Sequence, residues 1–288
     1  MDSSLTTQQA SLQFLKFGGS LITDKHRPRT ARLDVLNRLA SEVAAAWRDN
    51  RPMQLILGNG AGSFGHIPAK KYGTRQGVHT PEGWSGFAEV WRDAAALNSL
   101  VIDSLHAAGL PAIAIHPSAA IIAHDGQVAT WDLAPLRAAL EAGLLPVVHG
   151  DVIFDSLRGG TILSTEDLFG YLAIHLRPQR ILLAGLEAGV WEDYPKCTHL
   201  LSDITPENFN EVKRSLAGSS ATDVTGGMAS KVQQSLMLVK QIPGLEVLIY
   251  SGDIPEATTQ ALCGTRVGTC LHRGSLKQGT VSYPKNKG

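Results

Sequence analysis

The chain has 288 residues, 43% of them hydrophobic, enough for a large buried core in one continuous α/β unit. Its 26 basic and 26 acidic residues balance, so the excess of positive charge expected of a nucleic-acid partner is missing. Three cysteines, Cys197, Cys263 and Cys270, form no CxxC pair, which argues against a disulfide framework and predicts a reduced, cytoplasmic setting.

Residues 1–11 are polar, lack an apolar h-region and predict a flexible tail rather than a secretory signal. No run reaches the roughly 18 apolar residues of a membrane span. Residues 12–17 predict a first strand running straight into Gly18-Gly19-Ser20. Leu33, Leu36, Ala40, Val43 and Trp47 then recur at helical spacing. A second strand is expected at 53–57, followed by the glycine-rich GNGAGSFGH, with a long helix over about 82–108.

Further strands are expected at 111–115, 145–149, 180–184 and 245–250, with helices near 135–142, 165–176, 231–240 and 254–263. This alternation predicts a three-layer αβα sandwich around a mostly parallel sheet. Residues 151–164 break the pattern and predict a hairpin turning at Gly159-Gly160. A polar end is expected over 276–288.

Glycine segments stand where strands end: Gly18-Gly19-Ser20, Gly58 to Gly65, Gly150 and Gly226-Gly227. Ligands of open α/β sheets bind at those ends, where glycine admits a phosphate to the backbone and a helix N-terminus offers N–H groups. A single such loop is more often just a tight turn. Two of these are paired with lysines, Lys16 and Lys231, which favours phosphate binding. Lys16 is the sharper signal, because an ammonium in an apolar strand needs a partner. Lys25 and Lys231 alone would read as surface lysines.

Residues 60–65 match GxGxxG, the dinucleotide fingerprint, but an earlier strand and helix precede them, and His66-Ile67-Pro68 is expected to interrupt the helix that should follow. GGMASK fails the P-loop pattern, and no His, Cys or carboxylate cluster has metal-ligand spacing. His66, beside flexible backbone, is a candidate functional residue. His149 in VVHGD either positions its loop or ends a strand.

Taken together, these segments resemble a known family. KFGGSLITDK resembles the opening of the amino-acid-kinase superfamily, and GAGSFGH with PVVHGDV, LSTEDL and DVTGGMASK resembles the isopentenyl phosphate kinases, over about residues 12–271. The resemblance implies one amino-acid-kinase domain over 12–275, with the acceptor side first and the nucleotide side from about 180. It implies ATP-dependent phosphorylation of isopentenyl phosphate to the diphosphate, for isoprenoid precursor synthesis by an alternative mevalonate pathway. ATP and Mg²⁺ are the implied cofactors, with the metal held by nucleotide phosphates and no protein ligands. A homodimer with no nucleic-acid or membrane partner is implied too.

Position by position, the resemblance makes Lys16 and Lys231 the lysines on the ATP phosphates and the moving phosphoryl group. Gly18, Gly19 and Ser20 fall in the loop beneath them, Gly62 at an ATP position, and Gly226 and Gly227 in a nucleotide-side loop. Lys25 matches a transition-state lysine, and Asp167 the aspartate that holds the lysines in place. Ala61, Gly65, His66 and Thr165 fall at acceptor positions, with His66 on the acceptor phosphate. Trp84, Phe87, Val90 and Trp91 are candidates to line a pocket for the five-carbon tail. Three places depart from the pattern: Asn59 for a common histidine, STED for SGDD at 164–167, and GLEAGV at 185–190 for TDVDGV. Alternatives with the same fold are a kinase for another small phosphate, a phosphonate (fosfomycin-type) or a carboxylate. A non-catalytic nucleotide-binding regulatory module is the alternative of another class.

Overall fold

The computed structural model describes residues 11–24, 26–50, 52–212 and 224–274. Readings on residues 1–10, Lys25 and residues 275–288 lie outside the described residues.

The central sheet has eight strands. β1 (Leu12–Phe17) lies between β2 (Gln54–Asn59) and β9 (Arg180–Gly185), parallel to both. β6 (Leu145–His149) and β3 (Ala112–Ala114) continue beyond β2. β13 (Glu246–Ser251), β14 (Thr269–Leu271) and β12 (Asp203–Ile204) continue beyond β9, and only the β13–β14 pair is antiparallel. β10 (Val190–Trp191) pairs with β11 (Leu200–Leu201) outside this sheet.

Strand periodicity sorts side chains between two cores. Leu15, Phe17, Leu55 and Leu57 pack with Leu36, Leu39 and Val43 of α2 (Leu33–Asp49) and with Leu97, Val101 and Leu105 of α4 (Pro81–Ala107). Phe14 and Ile56 face the other way, toward Leu168 and Leu172 of α6 (Thr165–Leu176) and Leu236 and Val239 of α7 (Val224–Gln241). α5 (Ala134–Glu141) joins the second layer through Leu136 and Leu140, and α8 (Ala257–Leu262) the first through Ala257, Ala261 and Leu262. The three-layer αβα reading holds. Of the apolar stripe read on α2, Leu36, Ala40, Val43 and Trp47 are buried and Leu33 is exposed.

A four-stranded sheet sits beside this core, in the order β5 (Gln127–Trp131), β4 (Ile121–His124), β7 (Asp151–Asp155), β8 (Gly159–Leu163). The β7–β8 hairpin occurs where the sequence places it, but it does not turn at Gly159-Gly160. Its last pair is Asp155 with Gly159, so the turn is Ser156-Leu157-Arg158. The Asp155 carboxylate accepts from Leu157 N (2.9 Å) and Arg158 N (2.8 Å), which fixes that turn. It also accepts from Asp125 N and Gly126 N of the β4–β5 turn. The glycines serve close packing instead. A Cβ on Gly159 would stand 2.2 Å from Val78 O, and one on Gly160 2.9 Å from the Phe87 ring.

α3 (Gly62–Tyr72) corrects a second expectation. Pro68 does not interrupt it, although an interior proline removes one helical hydrogen bond. Packing offsets that cost: Phe64 and Pro68 are buried, Tyr72 lies against Gly86 of α4, and its hydroxyl donates to Glu89 at 3.0 Å.

Candidate active site

β1 aims Lys16 by parity. Phe14, two residues earlier, packs its ring 5.0 Å from that of Phe169 on α6. Lys16 therefore projects to the same face and meets Glu166 one turn before Phe169. Its Nζ lies 2.8 Å from Glu166 Oε1, with Lys16 buried and Glu166 largely so. The Glu166 carboxylate also gains from the first turn of α6, where the helix dipole favours negative charge.

Lys231 of α7 lines the same cleft as Glu166. Burial disfavours the Glu166 carboxylate, but the charges of Lys16 and Lys231 outweigh it and hold the carboxyl below the ordinary glutamate range. Burial, and next the like charge of Lys16, pull the Lys231 ammonium below the usual lysine value against the attraction of Glu166. Two cations thus gather around one carboxylate, a setting that favours an incoming anion.

The glycine loops after β1 and β2 touch backbone to backbone. A Cβ on Gly19 would lie 2.4 Å from Gly62 N, and one on Gly60 2.8 Å from Gly19 N. Gly62 has φ +49°, and a Cβ there would lie 2.2 Å from Thr23 Oγ1. Thr23 clasps the two loops: its hydroxyl donates to Gly19 O (2.7 Å) and accepts from Ser63 N (3.0 Å). Gly18 N donates to Ala184 O, tying the first loop to β9, and Ser20 is exposed on the short helix α1 (Gly19–Ile22).

The match to known proteins follows this geometry. Residues 11–251 match the model of the amino acid kinase family. The chain belongs to that family. Among its relatives, the isopentenyl phosphate kinase of Methanothermobacter thermautotrophicus is 37% identical over 264 residues, which cover 88% of this chain and 96% of the relative. The isopentenyl phosphate kinase of Methanocaldococcus jannaschii is 34% identical, covering 90% and 97%. A solved isopentenyl phosphate kinase structure superposes with a TM-score of 0.76 at 32% identity, covering 90% of this chain and 99% of that one. The resemblance read from KFGGS, SFGH and DVTGGM is therefore borne out, and so is the fold.

Within this amino acid kinase, the residue on Lys16 is Glu166, not Asp167. Asp167 closes a capping box with Ser164, accepting from Ser164 N (2.8 Å) and Oγ (2.7 Å), and its Oδ2 takes Arg75 Nη2 at 3.2 Å. The helical phase of α6 decides this: Glu166 shares the inward face with Phe169, and Asp167 does not. Thr165, the bulkier residue of STED, is buried and donates to Asn59 O at 2.7 Å. Gly58 leaves room for it, since a Cβ there would lie 2.5 Å from Thr165 Cγ2.

His66 is exposed on the second turn of α3, so it belongs to a helix rather than to a loop's end. Ala61 is the N-cap of that helix, and Gly65 lies in its first turns, where a Cβ would strike Ala61. Gly226 and Gly227 likewise lie in the first turn of α7, not in a loop. Lys25 lies outside the described residues. His149 is buried with Asp151, its Nε2 3.6 Å from Asp151 Oδ2. Burial, then the nearby His116, pushes the imidazole down to about 3, and burial raises the Asp151 carboxyl, so this contact is no ion pair near neutrality.

Of the four tail-pocket candidates, Phe87 and Val90 are buried with Val78 and Val152, and Ala69 of α3 packs on this cluster one turn after His66. Trp84 lies on Phe87 and Phe154, and Trp91 is exposed. Periodicity did not single out Glu166 or Arg75. An acid two residues past the capping serine was the available sign for the first; nothing in the sequence marked the ion pair of the second.

Proposed function

We propose that this chain transfers the γ-phosphoryl group of ATP to isopentenyl phosphate, forming isopentenyl diphosphate. The relatives named above are isopentenyl phosphate kinases along nearly their full length, and one solved relative is described as a substrate complex. The single observation that carries the reading is the convergence of Lys16 and Lys231 on Glu166 beside two interlocked glycine loops.

In this reading the acceptor is already a phosphate anion and needs no general base. The barrier lies in bringing two anions into line, so catalysis rests on positioning and charge stabilisation. Lys16 and Lys231 stabilise the nucleotide phosphates and the transferring group. Gly18, Gly19, Ser20 and Gly62 form the floor beneath them, with Gly226 and Gly227 at the start of α7 on the nucleotide side. Glu166 positions the lysines. His66 donates to the acceptor phosphate, flanked by Ala61, Gly65 and Thr165. The apolar cluster of Val78, Phe87 and Val90 faces the five-carbon tail.

When bound, Mg²⁺ would be held chiefly by the nucleotide phosphates and would offset part of their charge. Among the described residues no group of three His, Cys, Asp or Glu could hold a metal, and Glu166 is engaged by Lys16, which fits an ion carried by the nucleotide. No described helix is long and apolar enough to cross a membrane. We place the enzyme in the cytoplasm as a homodimer, in keeping with its reduced cysteines and its family resemblance.

The test is an acceptor screen with Mg-ATP, read by product mass. Conversion of isopentenyl phosphate to the diphosphate is expected. Turnover of glutamate or acetate with no conversion of isopentenyl phosphate would refute the proposal.

A further inference from the structure

An open cleft of ≈ 550 Å³ lies beside α3, lined by His66, Ala69, Lys70, Gly73, Arg75 and Gln76. Its basic groups come from one short stretch of chain. We propose that Arg75 is a second cation for the acceptor phosphate, held on Asp167 until the phosphate arrives. This rests on the kinase reading above and extends it to a residue that no motif covers.

Three features carry the assignment. First, Arg75 is anchored at its base and loose at its tip. Its carbonyl accepts from Thr161 Oγ1 at 3.0 Å and from Arg158 Nη1 at 3.3 Å, which fixes the backbone to the β7–β8 hairpin. The side chain is 58% exposed, and its ion pair is with Asp167. Asp167 is only 21% exposed, so the pair is open to solvent on its arginine side, where screening weakens it.

Second, Asp167 can release the guanidinium without being left bare. Its carboxylate already accepts from Ser164 N and Ser164 Oγ in the capping box. Third, the latch sits at the right end of the molecule. Asp167 follows Glu166, which holds Lys16, and its Oδ1 accepts from Gln234 Nε2 (3.5 Å) of α7, which lines the cleft of Glu166 and Lys231, so the Arg75–Asp167 pair joins the His66 cleft to that one.

The chemistry calls for such a group. A phosphate monoester near neutrality carries close to two negative charges on three terminal oxygens, and His66 supplies at most one short donor to it. A guanidinium offers paired N–H donors matched to two phosphate oxygens, and it outcompetes its weak surface partner once a dianion is in reach. A carboxylate acceptor has one charge and two oxygens, so the same exchange favours phosphate over carboxylate substrates. Lys70 lies on the rim and adds to the field.

Arg75→Ala and Arg75→Lys decide the point in steady-state kinetics of the full chain. Arg75→Ala is expected to raise KM for isopentenyl phosphate about 10-fold or more, the cost of one charge-assisted contact, and to leave KM for ATP within about twofold. Arg75→Lys should recover part of the loss, and the melting temperature should hold in both. An unchanged KM for isopentenyl phosphate in Arg75→Ala overturns the inference, as does a rise confined to ATP. If the wild-type chain does not turn over isopentenyl phosphate, the kinase reading fails first, and Arg75 is then judged by binding alone. Inorganic phosphate is titrated into protein saturated with a non-hydrolysable ATP analogue. Weaker, less salt-sensitive binding in Arg75→Ala supports the cation site; equal affinity for wild type and variant overturns it.

Discussion

Lys16 and Glu166 form a shielded ion pair 2.8 Å long, joining the middle of the central sheet to the first turn of α6. Removing one partner of such a pair leaves the other charge uncompensated. Glu166→Gln keeps the shape and removes the charge, so Lys16 and Lys231 repel without a mediator. We expect kcat to fall at least about 10-fold, and stability by roughly 1–3 kcal/mol, as for a lost hydrogen bond to a charged group. The pH dependence follows from the depressed carboxyl. Its stabilisation is present above the ordinary glutamate range and is lost as pH falls through the lower folded value. Denaturant titrations at neutral and acidic pH should show this loss in the wild type and its absence in Glu166→Gln.

Lys16→Ala and Lys231→Ala should each lower turnover by on the order of 3 kcal/mol, about 100-fold, as for a lost electrostatic donor. Their effects on folding should differ. Lys231 is held below its usual value by burial, so its removal relieves a cost in the ligand-free protein. Lys16→Ala strips Glu166 of its bonded partner. Melting temperatures should therefore rank Lys231→Ala above Lys16→Ala, and near-wild-type rates in both would remove them from the site.

His66 is exposed, so its replacement should leave the fold intact. His66→Ala should weaken isopentenyl phosphate while ATP binding measured without acceptor holds, and His66→Gln or His66→Asn should restore part of the activity through a neutral N–H. The comparison is calorimetry of nucleotide binding beside kinetics. Parallel collapse of ATP binding and activity in all three would make His66 structural.

Gly62→Ala should be costly, because φ is +49° and the new Cβ would lie 2.6 Å from Gly19 O. The left-handed conformation alone costs about 1–2 kcal/mol for a residue with a Cβ, before the clash. Thr23→Val, nearly isosteric, should lose roughly 1–3 kcal/mol by leaving Ser63 N unpaired, while Gly19 O keeps the Thr23 backbone N–H. Chemical denaturation measures both, and a Thr23→Val protein as stable as wild type would show that the clasp is dispensable.

His149 sets a pH dependence of another sign and range. Its folded value of about 3 lies below the ordinary 6.5, so the unfolded chain takes up a proton that the folded chain refuses. Stability from this group is whole above 6.5 and erodes toward 3, by about 1.4 kcal/mol per pH unit. The raised carboxyl of Asp151 works against it, since folding then favours the protonated acid. His149→Gln should flatten the slope of unfolding free energy between pH 6 and about 5; an unchanged slope would assign it to other groups.

Much of this architecture was legible because strand parity and helix period are written in the spacing of apolar residues. The same parity that buries Phe14 and Leu15 on opposite faces points Lys16 at α6. Residues 165–176 read as α6 to the residue because Ser164 caps it and apolar side chains follow at helical spacing. The misreadings have local causes. Glu166 and Asp167 are adjacent acids, and only the phase of α6 against β1 tells which turns inward. Gly159 and Gly160 look like a turn, but they make room for Val78 and Phe87, a contact distant in the chain. Pro68 looks like a break, yet tertiary packing on α4 carries the helix through it. β4 and β5 were not read at all, because they are partly exposed and carry no continuous buried apolar run like that of β6.

The contact of Gly19 with Gly60 and Gly62 would set a length scale for the proposed reaction. The proposed nucleotide loop and the segment leading to His66 are separated by bare main chain, joined by the Thr23 hydroxyl and by Gly60 N, which donates to Phe17 O at 3.0 Å. Side chains at such a seam would add ångströms, and their rotamers would make that separation fluctuate. Here the gap between donor and acceptor is gauged by peptide planes, the stiffest parts a polypeptide has. In the reaction proposed above, the phosphoryl group would cross a span set by main chain rather than by side-chain rotamers.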